Sequence, residues 1–265
     1  MNLPTTKEKS MSRTLLILGG DGYIGKSVVQ KFISNNWSVM KLNSRIPNFL
    51  ELEQEIIDAS KASNSSFTLL NTAWSPKPST RNRQDLEHLN WVGFTNRLIQ
   101  LSAKFDIPFY GLGSGLEKAN LKDAYCQAKQ ECCELIERSV SRKNNVNVGW
   151  LRPHYVYSLN PPSPTLVSDV AKQLVKNNSA VILTNNSHDF VSLDDCVTQI
   201  FLAVSNKVTG IVDIGSGTLM SNANLVKKLF PGREITSEVQ KEKTKGVHQF
   251  TGTADIRWIN KIQKS

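Results

Sequence analysis

Apolar and polar positions along the chain alternate between two periods. Thr14-Leu15-Leu16-Ile17-Leu18 is a short continuous apolar run, the pattern of a strand buried on both faces of a sheet. Lys26 to Asn35 places Val28, Val29, Phe32 and Ile33 at helical spacing, and Ser38 to Leu42 reads as a second strand. Strand, turn, helix, strand is one βαβ unit. The alternation continues with a helix over Phe49–Ser60, a strand over Phe67–Asn71, a long amphipathic helix over Leu86–Phe105, a strand over Pro108–Leu112, a second long helix over Ala124–Arg142, and a strand from Val146 to Arg152 ended by Pro153. Strands alternating with helices predict a parallel sheet covered on both faces.

Beyond Pro153 the pattern changes. Asn160-Pro161-Pro162-Ser163-Pro164 can be neither helix nor central strand. Helices near Leu166–Asn177 and Asp194–Ser205 then alternate with strands at Ala180–Leu183 and Gly210–Ile214. The predicted fold class is α/β, a Rossmann-type doubly wound parallel sheet with a small C-terminal substrate-binding lobe. Residues 1–13 are expected to be a flexible leader, with Met11 as a second possible start. Residues 14–153 form the dinucleotide-binding domain, and residues 154–265 a smaller lobe interleaved with the main sheet.

Composition narrows the class. The chain of 265 residues can bury a core without staples, and at 39% hydrophobic and 21% charged it is neither collagenous nor wholly disordered. No run approaches a membrane span, and the polar first residues contain no secretory h-region. Cys126, Cys132, Cys133 and Cys196 match neither a disulfide framework nor a zinc spacing, so reduced thiols in a cytoplasm are expected. The net charge of +9 suits phosphate-bearing partners or general solubility alike. The basic residues are scattered without aromatic interleaving, which argues against a nucleic-acid platform.

The first turn carries specific chemistry. Gly19, Gly22 and Gly25 lie between a strand and a helix. In a dinucleotide turn the first glycine permits the bend, the second admits the pyrophosphate, and the third allows close packing of helix on strand. The helix N-terminus then offers free N–H groups to the phosphates. At the end of the second strand, a carboxylate on the adenine ribose would select NAD. Asn43, Ser44 and Arg45 stand there instead, and Arg45 can pair with a 2′-phosphate. NADP(H) is therefore expected over NAD(H), unless Arg45 is simply a solvated loop residue.

Tyr125-x-x-x-Lys129 on a predicted helix puts a phenol and a cation on one face. The cation favours the phenolate and suits Tyr125 to general acid–base work. Ser114 follows the Pro108–Leu112 strand, at the edge where open α/β sheets bind ligands. Its hydroxyl could hold a substrate carbonyl against Tyr125. Taken singly, each has a bland reading: an exposed tyrosine, a solvated lysine, a turn serine.

Together these residues resemble the extended short-chain dehydrogenase/reductase family, the NAD-dependent epimerase/dehydratase group. The resemblance runs from about Thr14 to Ile262. It rests on the glycine turn; Asn71-Thr72-Ala73 after a fourth strand; Asn90-x-x-Gly93-x-Thr95-Asn96; Ser114; Tyr125-x-x-x-Lys129; Leu151-Arg152-Pro153-x-x-Val156-Tyr157; Asp189-Phe190-Val191-x-x-Asp194-Asp195; and the late strand Gly210 to Gly217. It implies that Gly19, Gly22, Tyr23, Ile24 and Gly25 hold a pyrophosphate. Asp58 and Ala59, at the end of a third strand, would flank adenine. Thr72, Ala73 and Trp74 would line the cofactor, and Pro153 and His154 would approach nicotinamide. Ser114, Tyr125 and Lys129 would form the catalytic triad, with Lys129 also binding the nicotinamide ribose, and Asn90 would take a structural or proton-relay role.

Several positions depart from the family pattern. Ser114 and Tyr125 are only 11 residues apart. A dehydratase-type Thr-Asp-Glu is absent, because Ser114-Gly115-Leu116 stands there. Tyr155 replaces the asparagine that touches a nucleotide-sugar diphosphate, and His188 replaces the arginine before Asp-Phe. The reading that follows is an NADPH-dependent ketoreductase of a nucleotide-linked keto sugar, such as a 4-keto-6-deoxy sugar. The alternatives are a sugar-nucleotide epimerase with the same residues and a non-catalytic NADP-binding scaffold. Neither nucleic acid nor membrane is an expected partner, and no metal is implied. Relatives often form homodimers through two long helices, here Leu86–Phe105 and Ala124–Arg142, whose apolar faces a core would explain equally.

Overall fold

The computed structural model describes residues 12–42, 49–62, 66–74, 85–118, 124–141, 147–161, 165–177, 180–183, 186–232, 234–237 and 252–263. The first half contains β1 (Arg13–Leu18), α1 (Tyr23–Ser34), β2 (Ser38–Leu42), α2 (Phe49–Ala62), β3 (Ser66–Asn71), α3 (Asp85–Phe105), β4 (Phe109–Leu112), a 3₁₀ turn (Gly115–Lys118), α4 (Ala124–Ser141) and β5 (Val148–Pro153). Then come β6 (Tyr155–Tyr157), α5 (Leu166–Asn177), β7 (Ala180–Leu183), β8 (Ser187–His188), β9 (Phe190–Ser192), α6 (Leu193–Ser205), β10 (Gly210–Ile214), β11 (Met220–Ser221), α7 (Asn222–Leu229), β12 (Glu234–Ser237) and α8 (Arg257–Ile262).

Six strands form one parallel sheet in the order β10-β5-β4-β3-β1-β2. Successive side chains of a strand point to opposite faces, and the core divides accordingly. Leu15 and Ile17 of β1 pack with Phe32 of α1 and Ile200 of α6. Leu16 and Leu18 pack with Ile56 of α2, Leu98 of α3 and Ile136 of α4. The sheet is thus the doubly wound one expected. β1 begins at Arg13, the last residue of the expected leader.

The chain leaves β1 for β2 on one side and returns to place β3 on the other. That reversal opens a crevice between the C-terminal ends of β1 and β3, the usual ligand position in such sheets. The later part of the chain contributes β10 to the main sheet and α6 to its face, while β6–β9, β7–β12 and β8–β11 make three small two-stranded sheets. Asp189 helps to tie this region together. Its buried carboxylate accepts the Ser216 N–H and hydroxyl, both at 2.7 Å, the Gly217 N–H at 2.9 Å and the Ala254 N–H at 2.8 Å.

Among the described residues, no helix is long and apolar enough to cross a membrane, and no group of three or more His, Cys, Asp or Glu could hold a metal ion. The four cysteines are free and buried. The inner faces of α3 and α4 lie in the core through Trp91, Leu98, Cys132 and Ile136.

Candidate active site

The reversal between β1 and β3 is filled by the glycine turn. Gly19 has φ +74°, a left-handed conformation natural to glycine. A Cβ there would lie 2.5 Å from the Ala73 nitrogen, so the turn and the β3 end touch backbone to backbone. At Gly25 a Cβ would lie 2.1 Å from the Gly19 carbonyl oxygen. The Gly22 N–H closes the turn onto that oxygen at 2.9 Å. Gly22 caps α1 without a side-chain hydrogen bond, and the first turn of α1 holds no acidic residue. No side chain of the first turn therefore caps the free N–H groups and positive end of α1, an arrangement that suits an anion. Ile24 packs into the core, and the Tyr23 hydroxyl donates to Ser158 Oγ at 2.8 Å, joining the turn to the chain beyond β6.

Opposite the turn, Asn71 Oδ1 accepts the Ala73 N–H at 3.0 Å, and the Thr72 hydroxyl donates to the Leu18 carbonyl at 2.8 Å. These bonds fix Thr72 and Ala73 against β1. A cradle that a single Cβ would fill fits the close approach of a dinucleotide pyrophosphate, with Gly19, Gly22 and the α1 N-terminus on one side and Thr72 to Trp74 on the other.

Ser114 lies just beyond β4 and starts the 3₁₀ turn. Its Oγ accepts the Leu116 N–H at 3.2 Å, and its own N–H donates to Glu117 Oε1 at 2.5 Å. The Glu117 side chain thus makes one half of a Ser-x-x-Glu capping box, while its own N–H donates to the Ser114 carbonyl at 3.0 Å and closes the short turn. The Ser114 oxygen is held as an acceptor, which leaves its hydrogen to donate outward. Gly113 is obligatory behind it, since a Cβ there would meet Glu117 Oε1 and Trp150 Nε1, each at 2.4 Å.

Tyr125 and Lys129 share one face of α4. Lys129 is only 2% exposed, and its Nζ donates to the Leu112 carbonyl at 2.5 Å. The ammonium also lies 3.6 Å from the Trp74 ring centroid and 5.3 Å from that of Trp150. Burial lowers the Lys129 pKa to about 8, against the opposing charge of Glu117. Half-buried Tyr125 packs edge-on against Trp74, with centroids 6.0 Å apart, and against His88, at 5.8 Å. Leu112 takes one of the three ammonium donors, but the Trp74 ring covers the side chain, so the nicotinamide ribose contact implied for Lys129 has no open path in this arrangement.

Pro153 ends β5, and His154 packs on the Ser114 turn: a Cβ on Gly115 would lie 3.0 Å from the imidazole Cγ. Burial lowers the His154 pKa and favours the neutral ring. The two departures Tyr155 and His188 are in contact, their rings stacked with centroids 3.9 Å apart. One aromatic pair therefore stands where the family pattern has an asparagine and an arginine.

Two placements differ from expectation, and a third group lies outside the described residues. Asp58 and Ala59 do not end a strand. They lie in α2, where Asp58 is exposed and accepts from Gln54 Nε2 at 2.7 Å, while Ala59 packs on the core. The i, i+4 pair Leu52 and Ile56 buries one face of that segment and makes it helical. Asn90 is exposed on α3, whereas the buried residues flanking it, His88 and Trp91, face Trp74. Asn43, Ser44 and Arg45 lie outside the described residues.

Two residues of the site carried no assignment from sequence. Glu117 was legible as the fourth residue of Ser-x-x-Glu. His88 had no signal beyond helical spacing, because its neighbours Trp74 and Tyr125 are distant in the chain.

The family model described as NAD dependent epimerase/dehydratase family matches residues 15–215. No curated protein matches the chain in sequence. Among solved structures, a similar one is TunA, an NAD-dependent NDP-hexosamine 5,6-dehydratase involved in tunicamycin biosynthesis, with TM-score 0.75, 17% identity and coverage of 94% of this chain and 91% of that one. A dTDP-4-dehydrorhamnose reductase from Bacillus anthracis, in complex with NADP, has TM-score 0.72, 10% identity and coverage of 95% and 92%. A UDP-N-acetylglucosamine 4-epimerase from Bacillus cereus has TM-score 0.69, 15% identity and coverage of 96% of both chains.

Proposed function

The chain belongs to the NAD dependent epimerase/dehydratase family, and on that premise we propose that it is an NADPH-dependent ketoreductase of a nucleotide-linked keto sugar, such as a 4-keto-6-deoxy sugar. The observation that carries this reading is the Ser114 turn. Its oxygen accepts the Leu116 N–H, which leaves the hydroxyl hydrogen available to donate, the role a carbonyl substrate needs. Ser114 donates to the carbonyl oxygen, and Tyr125 passes its proton to that oxygen as general acid. The Lys129 cation, fixed by Leu112 and Trp74, favours the phenolate left behind. A reduced nicotinamide supplies the hydride equivalent for the carbonyl carbon. Gly19, Gly22, Tyr23, Ile24, Gly25, Thr72, Ala73, Trp74, Pro153 and His154 would hold that cofactor.

Two further features support the finer assignment. The sequence offers Asn43, Ser44 and Arg45, rather than a carboxylate, to the adenine ribose, which suits NADP(H). The net charge of +9 suits an anionic substrate. Thermal unfolding with NADPH, NADH or neither tests the cofactor assignment. A ligand at about 100 times its dissociation constant stabilises by about 2.7 kcal/mol. NADPH should shift the midpoint selectively, and Arg45→Ala should weaken NADPH far more than NADH. A selective NADH shift would move the epimerase reading ahead, and no shift with either would count against dinucleotide binding altogether, and so against the reductase and the NADP-binding scaffold alike.

A further inference from the structure

Glu117 is 2% exposed and lies beneath the end of β4. Its carboxylate takes the Ser114 N–H on one oxygen, while the Trp150 indole N–H reaches both oxygens, at 3.0 and 3.1 Å. Trp150 also presents its ring to the Lys129 ammonium. Lys129 in turn donates to Leu112, two residues before Ser114. One indole and one strand end therefore join a buried carboxyl group to a buried ammonium. An anion this deep needs a stronger reason than closing a turn, because a neutral amide would accept the same hydrogen bonds without the cost of burying a charge.

We propose that Glu117 is a positioning residue of this site: it fixes the Ser114 turn and supplies the buried counter-charge that keeps Lys129 cationic. The proposal rests on the reading that Ser114 and Lys129 serve Tyr125. Glu117 is acted on by Lys129 of α4 and Arg152 of β5, and Lys129 by Cys132 as well as Glu117. Burial raises the Glu117 pKa to about 7 against those cations. Each partner's charge thus opposes the neutralising effect of burial on the other, and the two are charged together only over a narrow range between about 7 and 8.

Glu117→Gln is the discriminating variant, since an amide oxygen can still accept from Ser114 and Trp150. Tryptophan fluorescence is titrated with pH in wild type, Glu117→Gln and Lys129→Met. The transition absent from Lys129→Met belongs to Lys129, whose ammonium lies against two indoles. In Glu117→Gln it should move to lower pH by about half a unit or more, and the alkaline limb of the kcat/KM profile should move with it. A transition that stays at the wild-type pH would overturn the proposal, because a neutral cap would then suffice. The fluorescence needs no turnover, so a wild type silent toward keto sugars counts against the reductase reading alone. If Glu117→Gln does not fold, the reciprocal measurement applies. The carboxyl carbon NMR shift of Glu117 should titrate at higher pH in Lys129→Met than in wild type, and an unchanged midpoint would overturn the coupling.

Discussion

Removing the Lys129 charge should change stability by an amount that depends on pH in a calculable way. Lys129 falls from its ordinary 10.5 to about 8 in the folded protein because it is buried. Between those values the unfolded chain holds a proton that the folded chain has released. Stability rises with pH wherever the unfolded state binds more protons. Wild type should therefore gain on Lys129→Met as pH rises from about 8, by about 1.4 kcal/mol per pH unit, reaching about 3 kcal/mol near 10.5. Below 8 the lysine is protonated in both states and the difference is flat with respect to Lys129. Loss of the cation also raises the Glu117 pKa further, which lowers the mutant's stability with rising pH and acts in the same direction. Urea unfolding of both proteins at several pH values measures the difference directly, and groups that titrate alike in both cancel. Curves that stay parallel from pH 7 to 10.5 would refute the reasoning, since they would mean that Lys129 is as well solvated folded as unfolded.

Two other substitutions probe the cradle and the later sheets. Gly25→Ala puts a methyl 2.1 Å from a backbone oxygen that no rotamer can move. It should cost about 1–3 kcal/mol on denaturant unfolding and abolish the thermal shift with dinucleotides; a retained shift would remove the close-packing argument. Asp189→Ala orphans the donors of Ser216, Gly217 and Ala254 and should cost at least about 3 kcal/mol. Hydrogen exchange should then show amides near Ser216 and Ala254 opening together, and unchanged protection there would contradict the role assigned to Asp189.

The main sheet was legible because its local signals agree with its tertiary role. Thr14–Leu18 is apolar at nearly every position because β1 is covered on both faces, and the glycine spacing marks the turn that follows. The start of α1 was placed at Lys26, whereas it begins at Tyr23, because Gly25 reads as turn although it lies in the first helical turn. The resemblance puts Asp58 and Ala59 at a strand end, whereas the period of their own segment is helical, and the helix forms. The strands β6, β8, β9 and β11 are two or three residues long, too short to show a period. Asn90 and His88 differ by two positions on α3, which places them on different faces of the helix. Helical spacing alone did not say which face meets Tyr125; the packing of Trp74 decides it. The contact between Tyr155 and His188 was invisible for the same reason. Each residue was a separate departure in sequence, and only the pairing of β6 with β9 brings them together.

The central claim is that Tyr125 protonates a sugar carbonyl reduced at the expense of NADPH. The most direct measurement follows loss of the reduced-nicotinamide absorbance with a panel of nucleotide-linked 4-keto sugars, for wild type and Tyr125→Phe. The account predicts NADPH consumption by wild type matched by formation of the hydroxy sugar, and a rate about 10²–10⁴ lower in Tyr125→Phe with the NADPH thermal shift retained. Conversion of a sugar nucleotide to its stereoisomer without net NADPH loss, or equal turnover by Tyr125→Phe, would contradict it.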